Sequence, residues 1–325
     1  MNSNISQNFT EQIFRNDKRA VSRAISIIET GNSSSTKLLK ELHKKIGNAY
    51  RIGITGPPGA GKSTLTNQLT KYYRSIDKKV GIIAVDPTSP FTGGALLGDR
   101  VRMSEVGSDP GVFIRSMATR GSLGGISKKT IDAADVLDAA GYDIIIFETV
   151  GVGQSELDVA RAADSTIVVL VPESGDSIQA MKAGLMEIAD FFVLNKSDRP
   201  GADNAITSLK TILMLRDHDE KSWMPNIIKS IASENFGTKE IADEIERHHS
   251  YLDQYGLLKV KREENYKVRI KEIVEQLIKQ ELWKDERAAS LETSLSKVVE
   301  GETSPYQIAE ALFNDFKLTI ESRKL

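Results

Sequence analysis

The string Gly56-Pro57-Pro58-Gly59-Ala60-Gly61-Lys62-Ser63 has the GxxxxGK[ST] spacing of a phosphate cradle. The chemistry needs those residue types at those positions. Glycines let backbone N–H groups wrap a β-phosphate, and a helix opening at the lysine points its positive dipole end at the same anion. Lys62 is spaced to reach the β- and γ-phosphates, the Ser63 hydroxyl to ligate Mg2+, and the cradle closes with Thr64. An apolar run, Ile52-Gly53-Ile54-Thr55, leads into the loop, and a helix-like stretch follows it, as a strand-to-helix turn requires.

A second string, Asn195-Lys196-Ser197-Asp198, follows the apolar run Phe191–Leu194. Guanine presents two adjacent donors, its ring N–H and its exocyclic amine, and the Asp198 carboxylate can accept both. Adenine offers an acceptor at the ring position, so the same carboxylate would face an unpaired lone pair. Asn195, Lys196 and Asp198 are therefore expected on the base side of the site, and GTP/GDP as the ligand.

Between the two strings, Asp143–Gly151 is a β-branched run ending in an acid, which reads as a buried parallel strand delivering Glu148 to the sheet edge. Glu148 is expected to hold Mg2+ directly or through water, and the Gly151 N–H to approach the γ-phosphate. The run Val80–Pro87 places Asp86 at the same edge. The Gly-rich stretch from Thr88 to Arg102 reads as a first switch loop, with Asp86 and Asp99 as candidates for ordering Mg2+ or water. Fast-switching GTPases carry a water-orienting Gln immediately after the switch glycine; here that place is Val152, with Gln154 two residues on. Slow unaided hydrolysis, completed by a partner, is the expectation.

The elements that must position these groups alternate. Strands are expected near 51–55, 80–85, 112–115, 143–148, 166–171, 190–195 and 226–231, with helical patterns between them. That predicts an α/β fold: a doubly wound, mostly parallel sheet. The extra strand ahead of Glu148 resembles the signal-recognition and MinD-like (SIMIBI) half of P-loop GTPases. Three regions are expected: an N-terminal helical extension over 1–48, the P-loop domain over 49–250, and a C-terminal helical arm over 251–325. Residues 1–10 read as disordered, 11–30 as one amphipathic helix, and Gly31–Ser35 as a linker before a second helix. In the tail, Tyr266, Ile270, Ile273, Val274, Leu277 and Ile278 make an apolar stripe on a charged segment, to be buried on its own domain or in a dimer. Pro305 interrupts the tail ahead of a last helix through Ile308, Leu312 and Phe316.

Bulk properties narrow the classes. With 325 residues and a formal charge of −2, the chain has no field favouring nucleic acid or anionic membranes. Cysteine is absent, which removes disulfides and thiolate metal sites and suits the cytoplasm. There is no apolar signal core and no run long enough to cross a bilayer. The pair His248-His249 reads as a solvated helix end in preference to a metal site.

Together these motifs resemble the MeaB/ArgK family of P-loop GTPases, chaperones of cobalamin-dependent acyl-CoA mutases. Arg51–Thr64, VDPTSPFTGGALLGDRVRM over 85–103, ETVGVGQSE over 148–156 and DFFVLNKSDRPGA over 190–202 carry the likeness, which extends over nearly the whole chain. The resemblance implies a homodimer that binds methylmalonyl-CoA mutase or a relative and uses GTP to gate adenosylcobalamin loading and protect the mutase. It also implies an additional switch at Gly175–Gly184, in which Lys182 would contact nucleotide or partner, and a base-side loop around Ile231–Glu234. Three other readings stand beside it: a nickel-delivery GTPase, a kinase or transport-energising nucleoside triphosphatase, and a GTP-binding scaffold without catalysis.

Overall fold

The computed structural model describes residues 7–87, 104–119, 128–149, 155–173, 184–214 and 222–322. Helices α1 (Gln7–Phe14), α2 (Lys18–Thr30) and α3 (Ser33–Leu42) precede the first strand, β1 (Tyr50–Thr55). Then follow α4 (Lys62–Ser75), β2 (Val80–Pro87), β3 (Val112–Thr119), α5 (Lys128–Ala139), β4 (Ile144–Thr149) and α6 (Ser155–Ala162). The domain continues through β5 (Ser165–Leu170), β6 (Phe191–Asn195), α7 (Ala202–Leu213), β7 (Ile227–Ser230) and α8 (Thr238–Gln254).

All seven expected strands form, and every pairing is parallel, in the order β3-β2-β4-β1-β5-β6-β7. Strands β4, β5 and β6 are buried at every position, which is why their sequences are continuous apolar runs and not alternating ones. Strands β2 to β4 lie on one side of β1 and β5 to β7 on the other. The change of direction therefore falls at β1, and ligand crevices in such sheets open at the carboxyl ends of the strands there. The register sets Ile54 opposite Glu148 and Ala84 opposite Glu148, so the acid emerges between the start of the phosphate loop and β2.

Alternate residues feed two faces. Ile52, Ile54, Ile82, Ile146 and Ile167 pack with α4 and α8, while Ile83, Val85, Ile145 and Phe147 pack with α2, α3 and α5. The helices before β1 thus share a core with the sheet. Asp138 and Asp135 of α5 tie that helix to the chain entering β1 and to β1 itself. Asp138 accepts from the N–H groups of Gly47, Asn48 and Ala49 at 2.7, 3.1 and 3.1 Å. Arg51 donates to Asp135 at 2.7 Å; burial alone would lower its pKa, and the facing Asp135 carboxylate raises it instead.

The N-terminal expectations need correction. The stretch 11–30 is two helices, because Asn16 takes a left-handed turn (φ 60°) and Asp17 then caps α2 through the Ala20 N–H at 2.8 Å. Residues 7–10 are helical. Most of the expected linker is helix: Asn32 accepts from the Ser34 and Ser35 N–H groups, and Ser33–Ser35 form the first turn of α3.

Residues Val260–Leu325 form a second compact unit. It carries most of α9 (Leu257–Leu282), then α10 (Asp285–Val299) and α11 (Pro305–Ser322). Arg287 organises it, donating to the carbonyls of Leu282 and Glu281 and to Asp315, over the ring of the buried Phe316. Pro305 occupies the first position of α11, where its missing N–H costs no hydrogen bond. Along α9, Ile270, Val274, Leu277 and Ile278 remain exposed, Ile270 and Leu277 at 60% and 59%.

Candidate nucleotide-binding site

Two glycines of the loop are required by sterics. Gly56 lies at φ 133°, and a Cβ there would sit 2.1 Å from the Val169 carbonyl oxygen. Gly61 lies at φ 92°, with the Asn195 Nδ2 2.2 Å from where its Cβ would be. Gly61 caps α4 without a side chain, and the first intrahelical bond runs from the Leu65 N–H to the Gly61 carbonyl at 3.0 Å. The first turn of a helix has N–H groups without intrahelical partners, and those of Ser63 and Thr64 lie at the mouth of the loop. Lys62 is only 5% exposed, and its ammonium donates to the carbonyls of Gly56 and Pro57 at 2.8 and 2.9 Å. Pro58, Gly59, Lys62, Ser63 and Thr64 line a cavity of about 800 Å3 that also takes in Glu148, Lys196 and Ser233.

The Ser63 hydroxyl donates a short hydrogen bond to Glu148, whose carboxylate is 6% exposed. Across the strands, Thr149 donates to Thr55 at 3.2 Å. A hydroxyl and a carboxylate side by side at the rim of a phosphate cradle are hard oxygen donors, and they fit Mg2+, which takes few protein oxygens beside water and phosphate. Val85 pairs with Thr149, so the backbone of Asp86 reaches the same sheet edge. Asp99, Gly151, Val152, Gln154 and Lys182 lie outside the described residues, as do Thr88–Arg102 and all of the 175–184 segment except Gly184.

On the base side, the residues do different work. The Asn195 carboxamide is buried; its Nδ2 donates to the Ala60 carbonyl at 2.8 Å, and its Oδ1 accepts from the Ser230 hydroxyl and the Ala232 N–H, both at 3.0 Å. It ties the phosphate loop to the turn after β7, a bridging part that its place in a four-residue string does not disclose. Lys196 has a left-handed backbone (φ 57°) and lays its ammonium on the Gly59 carbonyl at 2.9 Å. Asp198 is exposed in the turn beyond it. Ala232–Glu234 form a single 3-10 turn, closed by the Glu234 N–H on the Ile231 carbonyl at 2.9 Å. Gln68 of α4, which the sequence did not mark, donates to the Ala232 carbonyl at 3.1 Å.

His248 corrects the reading of a solvated helix end. It is 2% exposed, its Nδ1 2.6 Å from the Ser165 hydroxyl and its Nε2 3.4 Å from Asp190. The Tyr50 hydroxyl lies 2.7 Å from the same Ser165, and burial raises its phenol pKa well above the ordinary value. Tyr50 and Ser165 open β1 and β5, so this network belongs to the edge of the sheet opposite the cavity. No group of three or more His, Cys, Asp or Glu side chains suited to a metal occurs among the described residues.

A glycine-rich loop between β1 and α4, an acid from β4 and an NKxD turn after β6 define a P-loop nucleotide-binding protein of the GTPase type. Comparison with known proteins carries this further. The family described as methylmalonyl-CoA mutase-associated GTPase MeaB matches residues 21–287. A Pyrococcus abyssi protein named as a GTPase is 46% identical over 307 residues, covering 94% of this chain and 95% of its own. The GTPase ArgK of Escherichia coli is 38% identical over 234 residues, covering 69% and 70%. A solved structure described as a LAO/AO transport system kinase superposes with a TM-score of 0.69 at 26% identity, covering 95% of this chain and 97% of the other. The chain belongs to the MeaB/ArgK family of P-loop GTPases.

Proposed function

We propose that this GTPase is the nucleotide-driven chaperone of a cobalamin-dependent acyl-CoA mutase, methylmalonyl-CoA mutase or a relative, gating adenosylcobalamin loading and protecting the mutase. The observation that carries the nucleotide chemistry is the hydrogen bond from half-buried Ser63 to buried Glu148, beside buried Lys62, in the lining of one cavity. The family's description as mutase-associated supports the client.

In this reading the loop from Gly56 to Thr64 receives the phosphates, and Lys62 exchanges its two carbonyl partners for β- and γ-phosphoryl oxygens, a stronger charge-assisted pairing. Ser63 and Glu148, with Asp86 at the same edge, would hold Mg2+, which would supply charge neutralisation at the phosphates. Asp198 reads the two guanine donors, while Asn195 and Lys196 fix the loop on which the phosphates rest. Water then takes the γ-phosphoryl group, leaving GDP and phosphate. Gly151 is assigned to the γ-phosphate and Asp99 to ordering Mg2+ or water on their sequence positions, and Lys182 to a contact with nucleotide or partner on the family resemblance. We place the protein in the cytoplasm; no described helix is long and apolar enough to cross a membrane. The exposed face of α9, with Ile270, Val274, Leu277 and Ile278 on a charged helix, suits a homodimer arm.

The test is GTP turnover by the purified chain with and without a cobalamin-dependent methylmalonyl-CoA mutase from the same cell, with Lys62→Ala as the control for contaminating activity. A slow basal rate that rises severalfold with the mutase is expected. Normal GTP binding without stimulation would remove that client, and phosphate transferred to a protein acceptor in place of water would favour a kinase.

A further inference from the structure

Both backbone groups of Ala232 are held by side chains. Asn195 accepts from its N–H, and Gln68, two turns into the phosphate-loop helix, donates to its carbonyl at 3.1 Å. A peptide unit is planar and trans, so the direction of the Ala232 carbonyl also fixes that of the Ser233 N–H, the other end of the same unit. Ser233 lines the cavity together with Lys196 and Gln68 itself. The turn's other restraints are the Glu234 and Phe236 N–H groups on the Ile231 carbonyl, the Ile231 N–H on the Phe236 carbonyl at 3.1 Å, and the Asn235 N–H on the Ala232 carbonyl at 3.4 Å. Without Gln68 the Ala232–Ser233 peptide retains only that longer contact on its carbonyl side.

We propose that Gln68 is a positioning residue for base selection: through the Ala232 carbonyl it sets the Ser233 N–H to donate to the guanine carbonyl oxygen. The inference rests on the guanine reading of the site. It makes the helix that carries the phosphate ligands also the support of the base-side turn, so one element holds both ends of the nucleotide site. Adenine carries an amine where guanine carries that oxygen, and a fixed donor there gives it nothing. Gln68 thereby contributes to selecting guanine without touching it.

The experiment uses the full chain and competition against a fluorescent GDP derivative, with GDP, GMP and ADP as competitors. Gln68→Met keeps the length and removes the donor; Gln68→Glu sets an acceptor against the Ala232 carbonyl. For Gln68→Met the affinity for GDP is expected to fall about tenfold, the order of one hydrogen bond, with a larger fall for Gln68→Glu. The ratio of GDP to GMP affinity stays at its wild-type value because the β-phosphate contacts are intact, and ADP affinity stays unchanged, so the preference for guanine narrows. GDP affinity within twofold of wild type in both variants would overturn the proposal. So would an equal fall for GDP and ADP, or a collapsed GDP-to-GMP ratio, either of which would make Gln68 a structural support of α4. A wild-type chain that does not prefer GDP to ADP would instead remove the guanine reading, and this role of Gln68 with it.

Discussion

Replacing Asn195 by alanine removes three hydrogen bonds at once, at 2.8, 3.0 and 3.0 Å, from a site that is 2% exposed. Each such bond contributes roughly 1 kcal/mol net, and the Ala60 carbonyl, Ser230 hydroxyl and Ala232 N–H left behind have little access to water. The expected loss is about 3 kcal/mol. For a domain of this size that corresponds to a fall in melting temperature of roughly 6–12 °C. Chemical denaturation is the direct assay: the midpoint should move with the slope unchanged, because the same surface is exposed on unfolding. The tied loops also hold opposite ends of the nucleotide site, so dissociation of fluorescent GDP should accelerate in the same variant. A loss below about 1 kcal/mol would refute the reasoning, since the bridge would then be contributing less than a single one of its bonds.

Two further outcomes follow from the geometry. Gly56→Ala drives a Cβ to 2.1 Å from a backbone oxygen at φ 133°, so the loop must shift as a whole; nucleotide affinity should fall by more than about thirtyfold, and a titration showing less than threefold would contradict the clash. Burial pushes the Tyr142 phenol up to about 12 and raises Tyr50 and Tyr73 as well. A folded-state pKa above the unfolded value gives stability that is complete below pH about 10 and is lost as pH rises towards 12. Denaturation midpoints measured from pH 8 to 12 should therefore decline only above about 10, and Tyr142→Phe should flatten part of that decline; an unchanged alkaline limb would refute this account.

The inner strands β4, β5 and β6 were readable because they are buried at every position, which leaves little room for another pattern. The phosphate loop was readable for the same physical reason that it works: glycine at Gly56 and Gly61 is imposed by Val169 and Asn195, and lysine and serine follow at fixed distances. What stayed hidden depends on distant partners. Nothing adjacent to Gln68 points to Ala232, and nothing beside His248 discloses Ser165 and Asp190. The division of 11–30 turned on a single residue, Asn16, adopting a conformation that asparagine tolerates but does not announce. The Ser-rich stretch at 33–35 looked like a linker by composition, yet Asn32 supplies a cap that composition alone does not weigh.

The ties on the chain before β1 also set a schedule for synthesis. Gly47, Asn48 and Ala49 wait for Asp138, Lys18 for the carbonyl of Asp109, and Glu29 for Arg115. Each partner lies some 90 residues further along the chain. At ribosomal rates that is an interval of roughly 5–20 s in which α1, α2 and α3 have been made but have no sheet to cover. Their apolar faces, Val21, Ile25 and Ile28 among them, are the surfaces exposed during that interval. The capping of α2 and α3 by Asp17 and Asn32 is local and needs no later residue, so it biases both segments towards helix before their partners exist.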